Sequence, residues 1–149
     1  DLDLMGMFIQ EPLSSLEAIG CPVLSQSIDI ANVRLRFESG LIVQLTASRV
    51  SRERQRKMRI FTPEGYYSID FLNQNVEMIE RKKLEETHQI QAEQLFFPRT
   101  DALLTEIEDF LQAVASKGYP RAQLKDAIRT LGLVQSIQTY LKEHPTIPI

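Results

Sequence analysis

Six cations fall within eleven positions, at Arg49, Arg52, Arg54, Arg56, Lys57 and Arg59. A cluster of this kind could contact the phosphates of a nucleic acid or of a phosphorylated small molecule. The other reading is a solvated connection between strands, because phosphate contacts need positioned donors as well as charge. Arg49 is the candidate contact to a substrate phosphate or carboxylate, with Asn32, Thr46 and Ser48 as further substrate-binding candidates. Other chemistry is hard to find. The six glycines are scattered, and none stands in the G-x-G-x-x-G or P-loop spacing that brings backbone amides to a phosphate. His88 and His144 have no Cys or His partners at metal-ligand spacing, so no metal site is expected. No serine sits in a G-x-S-x-G elbow. Glu85 and Glu86 read as solvent-facing charges, since an acid/base pair needs a pocket that raises one pKa. No catalytic, cofactor-binding or metal-ligating residue is assigned.

Composition bounds the remaining classes. With 149 residues, 43% of them hydrophobic and a quarter charged, the chain reads as one soluble domain able to form a core without staples. Cys21 has no partner for an internal bridge, which favours a cytoplasmic setting and a small, partly buried thiol. A net charge of −3 argues against a nucleic-acid binder, and no apolar run is long enough to span a bilayer. Asp1 to Ile9 has no signal-peptide pattern; Leu2, Met5 and Ile9 recur at helical spacing, as in the later turns of a helix that starts upstream.

The elements that would position the candidates are set by periodicity. Glu11-Pro12 stops the remnant helix at 1–10. A sheet is expected over 14–97. Leu16 to Ile19 start a strand; Ala31, Val33, Leu35 and Phe37 alternate with Asn32, Arg34 and Arg36. After the turn Glu38-Ser39-Gly40, Leu41, Val43, Leu45 and Ala47 alternate with Gln44, Thr46 and Ser48. Arg56 to Phe61, the turn at Thr62 to Gly65, the alternation of Tyr67, Ile69 and Phe71 against Tyr66, Ser68 and Asp70, the turn at Asn73-Gln74-Asn75, and Val76 and Met78 facing away from Glu77, Ile79 and Arg81 continue the meander. Lys82 to Gln94 is polar without a firm period and is expected to be an irregular excursion, of a composition compatible with disorder, before a strand at Leu95 to Phe97. Two helices are expected over 101–143. The first carries Leu104, Ile107, Leu111 and Val114, capped by Thr100 or Asp101 and ended by Lys117-Gly118. The second runs from about Ala122 to Glu143, with Leu124, Ala127, Ile128, Leu131, Val134, Ile137 and Leu141 on its apolar side, before Pro145 and Pro148. Strands followed by helices predict an α+β domain spanning 1–149: an open, mostly antiparallel sheet with two C-terminal helices on one face and the other face exposed.

Asp29 to Gly40, Leu45 to Ser51, Arg59 to Pro63, Tyr67 to Phe71 and Asp101 to Leu111 together resemble the C-terminal domain of the glucose-fructose oxidoreductase, inositol dehydrogenase and MocA family. The resemblance implies an open sheet that forms a substrate wall and a subunit interface, beside an N-terminal dinucleotide-binding domain. It implies a catalytic Lys in an E-K-P motif and an Asp and His in D-x-x-x-H; Asp1-Leu2-Asp3-Leu4 resembles the family's continuation just after that His. None of those three groups is in this sequence, so the fragment is expected to be inactive alone. Asp29 to Asn32 and Thr46 to Ser51 are most similar to the branch acting on nucleotide sugars such as UDP-N-acetylglucosamine. The run Ala122 to Asp126 departs from the Val-Ser-Gly-x-Asp of relatives. The expectation is a substrate-binding and oligomerisation domain of an enzyme using NAD or NADP, binding no cofactor itself, and forming a homodimer or tetramer through the open face without nucleic-acid or membrane partners. The alternative is a non-enzymatic module that binds another protein through that face.

Overall fold

The structure is a computed structural model that describes residues 1–84 and 87–145, without the side chains of residues 83, 84, 87 and 88. The Glu85-Glu86 pair, the ring of His88 and Pro148 therefore lie outside the described residues. In chain order the elements are α1 (Leu2–Phe8), β1 (Leu13–Cys21), β2 (Ile30–Phe37), β3 (Ile42–Ser48), β4 (Lys57–Phe61), β5 (Gly65–Asp70), β6 (Asn75–Leu84), β7 (Thr87–Phe96), α2 (Ala102–Ser116) and α3 (Leu124–Glu143). They form two compact units, residues 1–52 with 109–149, and residues 53–108. The α+β class and the antiparallel pairing hold. The strands lie in two sheets, β1-β2-β3 and β4-β5-β6-β7.

In the first unit the period of two decides the layer. Leu35 sits opposite Leu16 on β1 and Val43 on β3, and Val33 opposite Ala18 and Leu45, so one face of the sheet is continuously apolar. Val33, Leu35 and Phe37 are buried there with Met5 of α1 and Ile137 of α3, and Leu133 and Leu141 pack against them. Arg129 on α3 ties the helices together by donating to the carbonyls of Gly6 and Ile9. The β2–β3 turn needs glycine: Gly40 has φ +89°, a left-handed conformation that costs glycine little. Glu11 holds that turn by accepting from the backbone N–H (2.8 Å) and hydroxyl (2.7 Å) of Ser39.

The second unit is a meander. The turn between β5 and β6 is built on the carboxylate of Asp70, which accepts from the N–H groups of Leu72 and Asn73 and from the amide of Asn73, each at 3.0 Å, and pairs with Lys57 at 3.3 Å. Gly65 is required for a different reason, since a Cβ there would lie 2.8 Å from the carbonyl oxygen of Ile79.

Two expectations need correcting. The polar run at Lys82 to Gln94, Glu85 and Glu86 aside, is the end of β6 and most of β7, paired residue by residue from Asn75↔Phe96 to Leu84↔Thr87. Both faces of this ladder are largely exposed over 89–96, so no burial period marks it; backbone pairing extends it from the β5–β6 hairpin. The last helix begins at Leu124 rather than Ala122, after Gln123 in an extended conformation. At α2, Asp101 is the cap, accepting from the N–H groups of Leu103 (3.0 Å) and Leu104 (3.1 Å). Its C-terminal end takes φ +53° at Lys117, and the Gly118 N–H reaches back to the carbonyl of Ala113 at 2.9 Å.

Leu35 is 0% exposed at the centre of the first unit. Leu35→Ala is expected to cost about 2–5 kcal/mol, through lost transfer energy and the cavity left behind. Urea unfolding followed by far-ultraviolet circular dichroism checks this, against a change below about 0.5 kcal/mol for Gln44→Ala on the wet face.

Candidate functional site

The polar positions of β1, β2 and β3 form rows across the open face. Glu17 stands opposite Arg34, and Arg34 opposite Gln44; in the next row Ile19 stands opposite Asn32, and Asn32 opposite Thr46. All six side chains are exposed. Their placement is a by-product of the core, because every residue that turns Val33 and Leu35 inward turns its neighbour outward. The Thr46 hydroxyl donates to Oδ1 of Asn32 at 2.8 Å, joining two of the candidate residues. With Tyr140 of α3, these rows line a shallow, open concavity of about 520 Å³. That size falls within the range of small-molecule sites. It offers carboxylate, guanidinium, two amides, a hydroxyl and an aromatic ring, a set suited to hydroxyl-rich ligands.

Arg49 and Ser48 are engaged elsewhere. Ser48 ends β3, and its hydroxyl accepts from the Val50 N–H (3.3 Å) and from the Ser51 hydroxyl (2.8 Å). The Arg49 guanidinium pairs with Asp29 through Nε, and Nη2 donates to the hydroxyls of Ser25 (2.7 Å) and Ser27. More than half of the Arg49 side chain still meets solvent, 55%. Its visible role is to close the loop between β1 and β2.

Asp29 is the hub of that loop and was not among the sequence candidates. It is 5% exposed, and its Oδ2 accepts three successive backbone N–H groups, from Val23 (2.8 Å), Leu24 (2.7 Å) and Ser25 (2.9 Å). Oδ1 accepts from the Ser25 hydroxyl at 3.0 Å. The amides of Leu24 and Val23 hold the carboxyl far below the usual carboxylate range, with Ser25 and Arg49 adding to them and burial opposing. The signal for this in the sequence is an aspartate closing a Ser-x-Ser-x-Asp segment after Pro22, since such side chains bond their own nearby backbone. Glu17, Arg34, Gln44 and Tyr140 also line the concavity without having been singled out for substrate contact.

The other chemistry-bearing residues disperse. In the basic run, Arg56 lies over the Phe71 ring at 5.2 Å and Lys57 pairs with Asp70. His144 stacks on Tyr140, with ring centroids 4.1 Å apart. Cys21 is a free, partly buried thiol. Among the described residues no group of three or more His, Cys, Asp or Glu could hold a metal ion, and no helix is long and apolar enough to cross a membrane. The amide nest at Val23 to Ser25 is the kind of cradle a dinucleotide pyrophosphate uses. Asp29 already fills it, so the residues of this loop do not fit that cofactor.

No family model matches the chain. UDP-N-acetylglucosamine 3-dehydrogenase from Acidithiobacillus ferrooxidans is 34% identical over 118 residues, 78% of this chain and 38% of that protein. A solved structure of UDP-N-acetylglucosamine 3-dehydrogenase from the same organism superposes with a TM-score of 0.83 at 30% identity, covering 94% of this chain and 44% of that one. Levoglucosan dehydrogenase, in complex with NADH and L-sorbose, superposes at 0.75 with 14% identity, covering 95% and 46%, a likeness of fold alone. The chain thus spans less than half the length of these proteins.

Asp29 and Asp70 both ionise more readily folded than unfolded, Asp70 being lowered to about 2 mainly by the Asn73 N–H and amide. Each therefore contributes its full stabilisation above the ordinary carboxylate pKa of about 4, and loses it as pH falls toward the folded value. The urea midpoint should hold steady from about pH 7 to 5 and fall steeply between about pH 4 and 2. Asp29→Asn should start lower and fall less; a wild-type midpoint independent of pH down to about 2 would discard this account.

Proposed function

This chain belongs to the glucose-fructose oxidoreductase, inositol dehydrogenase and MocA family as a counterpart of its C-terminal domain, and on that premise we propose that it supplies the substrate wall of an oxidoreductase acting on a nucleotide-sugar hydroxyl. The observation that carries the proposal is the match to UDP-N-acetylglucosamine 3-dehydrogenase in both sequence and backbone over most of this chain. Five side chains lining the concavity support it. Asn32, Gln44 and Thr46 can share hydrogen bonds with sugar hydroxyls and an acetamido group, Arg34 can meet a phosphate, and Tyr140 offers a ring for an apolar sugar face.

Arg49 enters this reading with a double role, since its half-exposed guanidinium both closes the Asp29 loop and presents charge beside the face. Binding of NAD or NADP, and hydride transfer, are assigned to the part of the full-length protein outside this chain, which alone we expect to be catalytically silent. The two compact units are taken to serve as one domain of a cytoplasmic enzyme. The same polar face, bearing Glu17 as well as Arg34 and Arg36, is suited to pair with a second copy in a homodimer or tetramer.

The test replaces the matching segment of the Acidithiobacillus ferrooxidans dehydrogenase with this chain and monitors NAD(P) reduction with UDP-N-acetylglucosamine. Turnover is expected. Asn32→Ala and Thr46→Ala should each raise KM about 3–30-fold, with kcat nearly unchanged, as loss of one or two substrate hydrogen bonds requires. Arg49→Ala should raise KM for the charged substrate; an unchanged KM would confine Arg49 to the loop. A stable hybrid that reduces neither nucleotide with any UDP-sugar would remove the proposal.

A further inference from the structure

In the second unit β7 is an edge strand of the four-stranded sheet. The Phe97 N–H donates to the carbonyl of Gln74 at 2.8 Å, which fixes the phase of the β6–β7 ladder. The backbone groups of Gln89, Gln91, Glu93 and Leu95 therefore turn toward β6, and those of Ile90, Ala92, Gln94 and Phe96 turn away from it. Every residue from 89 to 96 is exposed. An unpaired edge is a template for another strand, and proteins blunt it with charge, proline or a bulge. The other edges carry such a device or are shorter: β1 has a bulge between Leu13 and Ser15, β4 carries Lys57 and Arg59, and β3 has 7 residues. β7 has 10 residues, Glu93 as its one carboxylate, and no Lys, Arg or Pro. Its Ile90 is 80% exposed.

We propose that β7 pairs edge to edge with β7 of a second copy, antiparallel about a two-fold axis at Gln91, so that two four-stranded sheets join into one. The strand is complementary to itself in that register. Outward backbone groups belong to even-numbered residues, so even must meet even. With the axis at Gln91, Ile90 faces Ala92 of the second copy on both sides of the axis, and the carboxylate of Glu93 faces the amide of Gln89. Moving the axis to Ala92 sets Ile90 against Gln94, moving it to Glu93 opposes two carboxylates, and moving it to Ile90 shortens the overlap of the strands. The faces match as well. Phe61, Tyr66, Ile79 and Ala92 form one row across the sheet, with Phe61 75% and Ile79 43% exposed, and Ile90 of the second copy extends that row. Two-fold pairing also uses each β7 edge once, so assembly through it stops at two copies. The contact uses the second unit alone and holds whichever reaction the longer protein catalyses.

Directly opposed residues that are not hydrogen-bonded lie about 4.5 Å apart at Cα in an antiparallel pair, within disulfide range. Gln91 is such a position opposite itself, so Gln91→Cys in a Cys21→Ser background tests the register as well as the contact. Under mild oxidation it is expected to form a disulfide dimer at least about tenfold faster than Glu38→Cys, on the exposed β2–β3 turn. Gln89→Cys and Glu93→Cys, each slow alone, are expected to cross-link when mixed. Sedimentation of the unsubstituted chain should show a concentration-dependent dimer, and Ile90→Lys, which puts a charge on the edge, should leave a monomer with unchanged circular dichroism. Gln91→Cys cross-linking no faster than Glu38→Cys overturns the inference, as does a dimer that survives Ile90→Lys. Self-cross-linking of Gln89→Cys as fast as that of Gln91→Cys overturns it by requiring another register. Cross-linking of Gln91→Cys in this chain that is lost in the hybrid dehydrogenase overturns it too, and assigns the edge to another segment of the longer protein.

Discussion

The alternation of β2 against α1 and α3 is the constraint on which the rest depends. Val33, Leu35 and Phe37 can be covered by Met5 and Ile137 only if Asn32, Arg34 and Arg36 turn to water, because successive side chains of a strand point to opposite faces. A slip of one residue would bury two guanidinium groups and expose Leu35. The register against β1 and β3 is thus strongly specified, and with it the composition of the open face. The wall offered to a ligand is the complement of the core.

Electrostatics at the edge of that sheet are organised around a single buried charge. Three backbone amides and a seryl hydroxyl keep Asp29 ionised at 5% exposure, where burial alone would have favoured the neutral acid. Arg49 then answers Asp29 rather than standing free. Within the basic run, Lys57 likewise pairs with Asp70, and Arg56 lies over an aromatic ring. Arg49 and Lys57 thus hold this chain's own turns. Arg34, by contrast, lies with its row along the concavity.

Much of this was legible in the residues, and the failures have physical causes. The β2–β3 hairpin, its glycine turn, the first two turns of the meander and the helical span of α2 were marked by period and turn chemistry, which are local; the apolar residues Leu104, Ile107, Leu111 and Val114 of α2 are nonetheless exposed. The β6–β7 ladder was not, because strands wet on both faces carry no burial period and are held by backbone pairing. The division into two sheets was not, because alternation says which face a residue joins and nothing about which strands share a sheet. Asn32 and Thr46 were placed on one face by counting, and their hydrogen bond is a consequence of the register. The diversion of Arg49 was invisible, since it depends on a loop that folds back across 20 residues to meet it.

Gly132 bears on how α3 is used. It lies one residue beyond Leu131 in the middle of a 20-residue helix, and a Cβ built there would meet nothing within 4 Å. Glycine in a helix interior costs about 1 kcal/mol relative to alanine, and nothing in this chain's own packing requires it. A missing side chain beside an exposed apolar stripe lets another backbone approach closely, as small residues do at tight helix contacts. The helix tolerates that cost because its C-terminal half is anchored through Ile137 and Leu141. The two halves of α3 thus differ: one is fixed in the core of this unit, and in the other Leu124, Ile128 and Leu131 remain exposed.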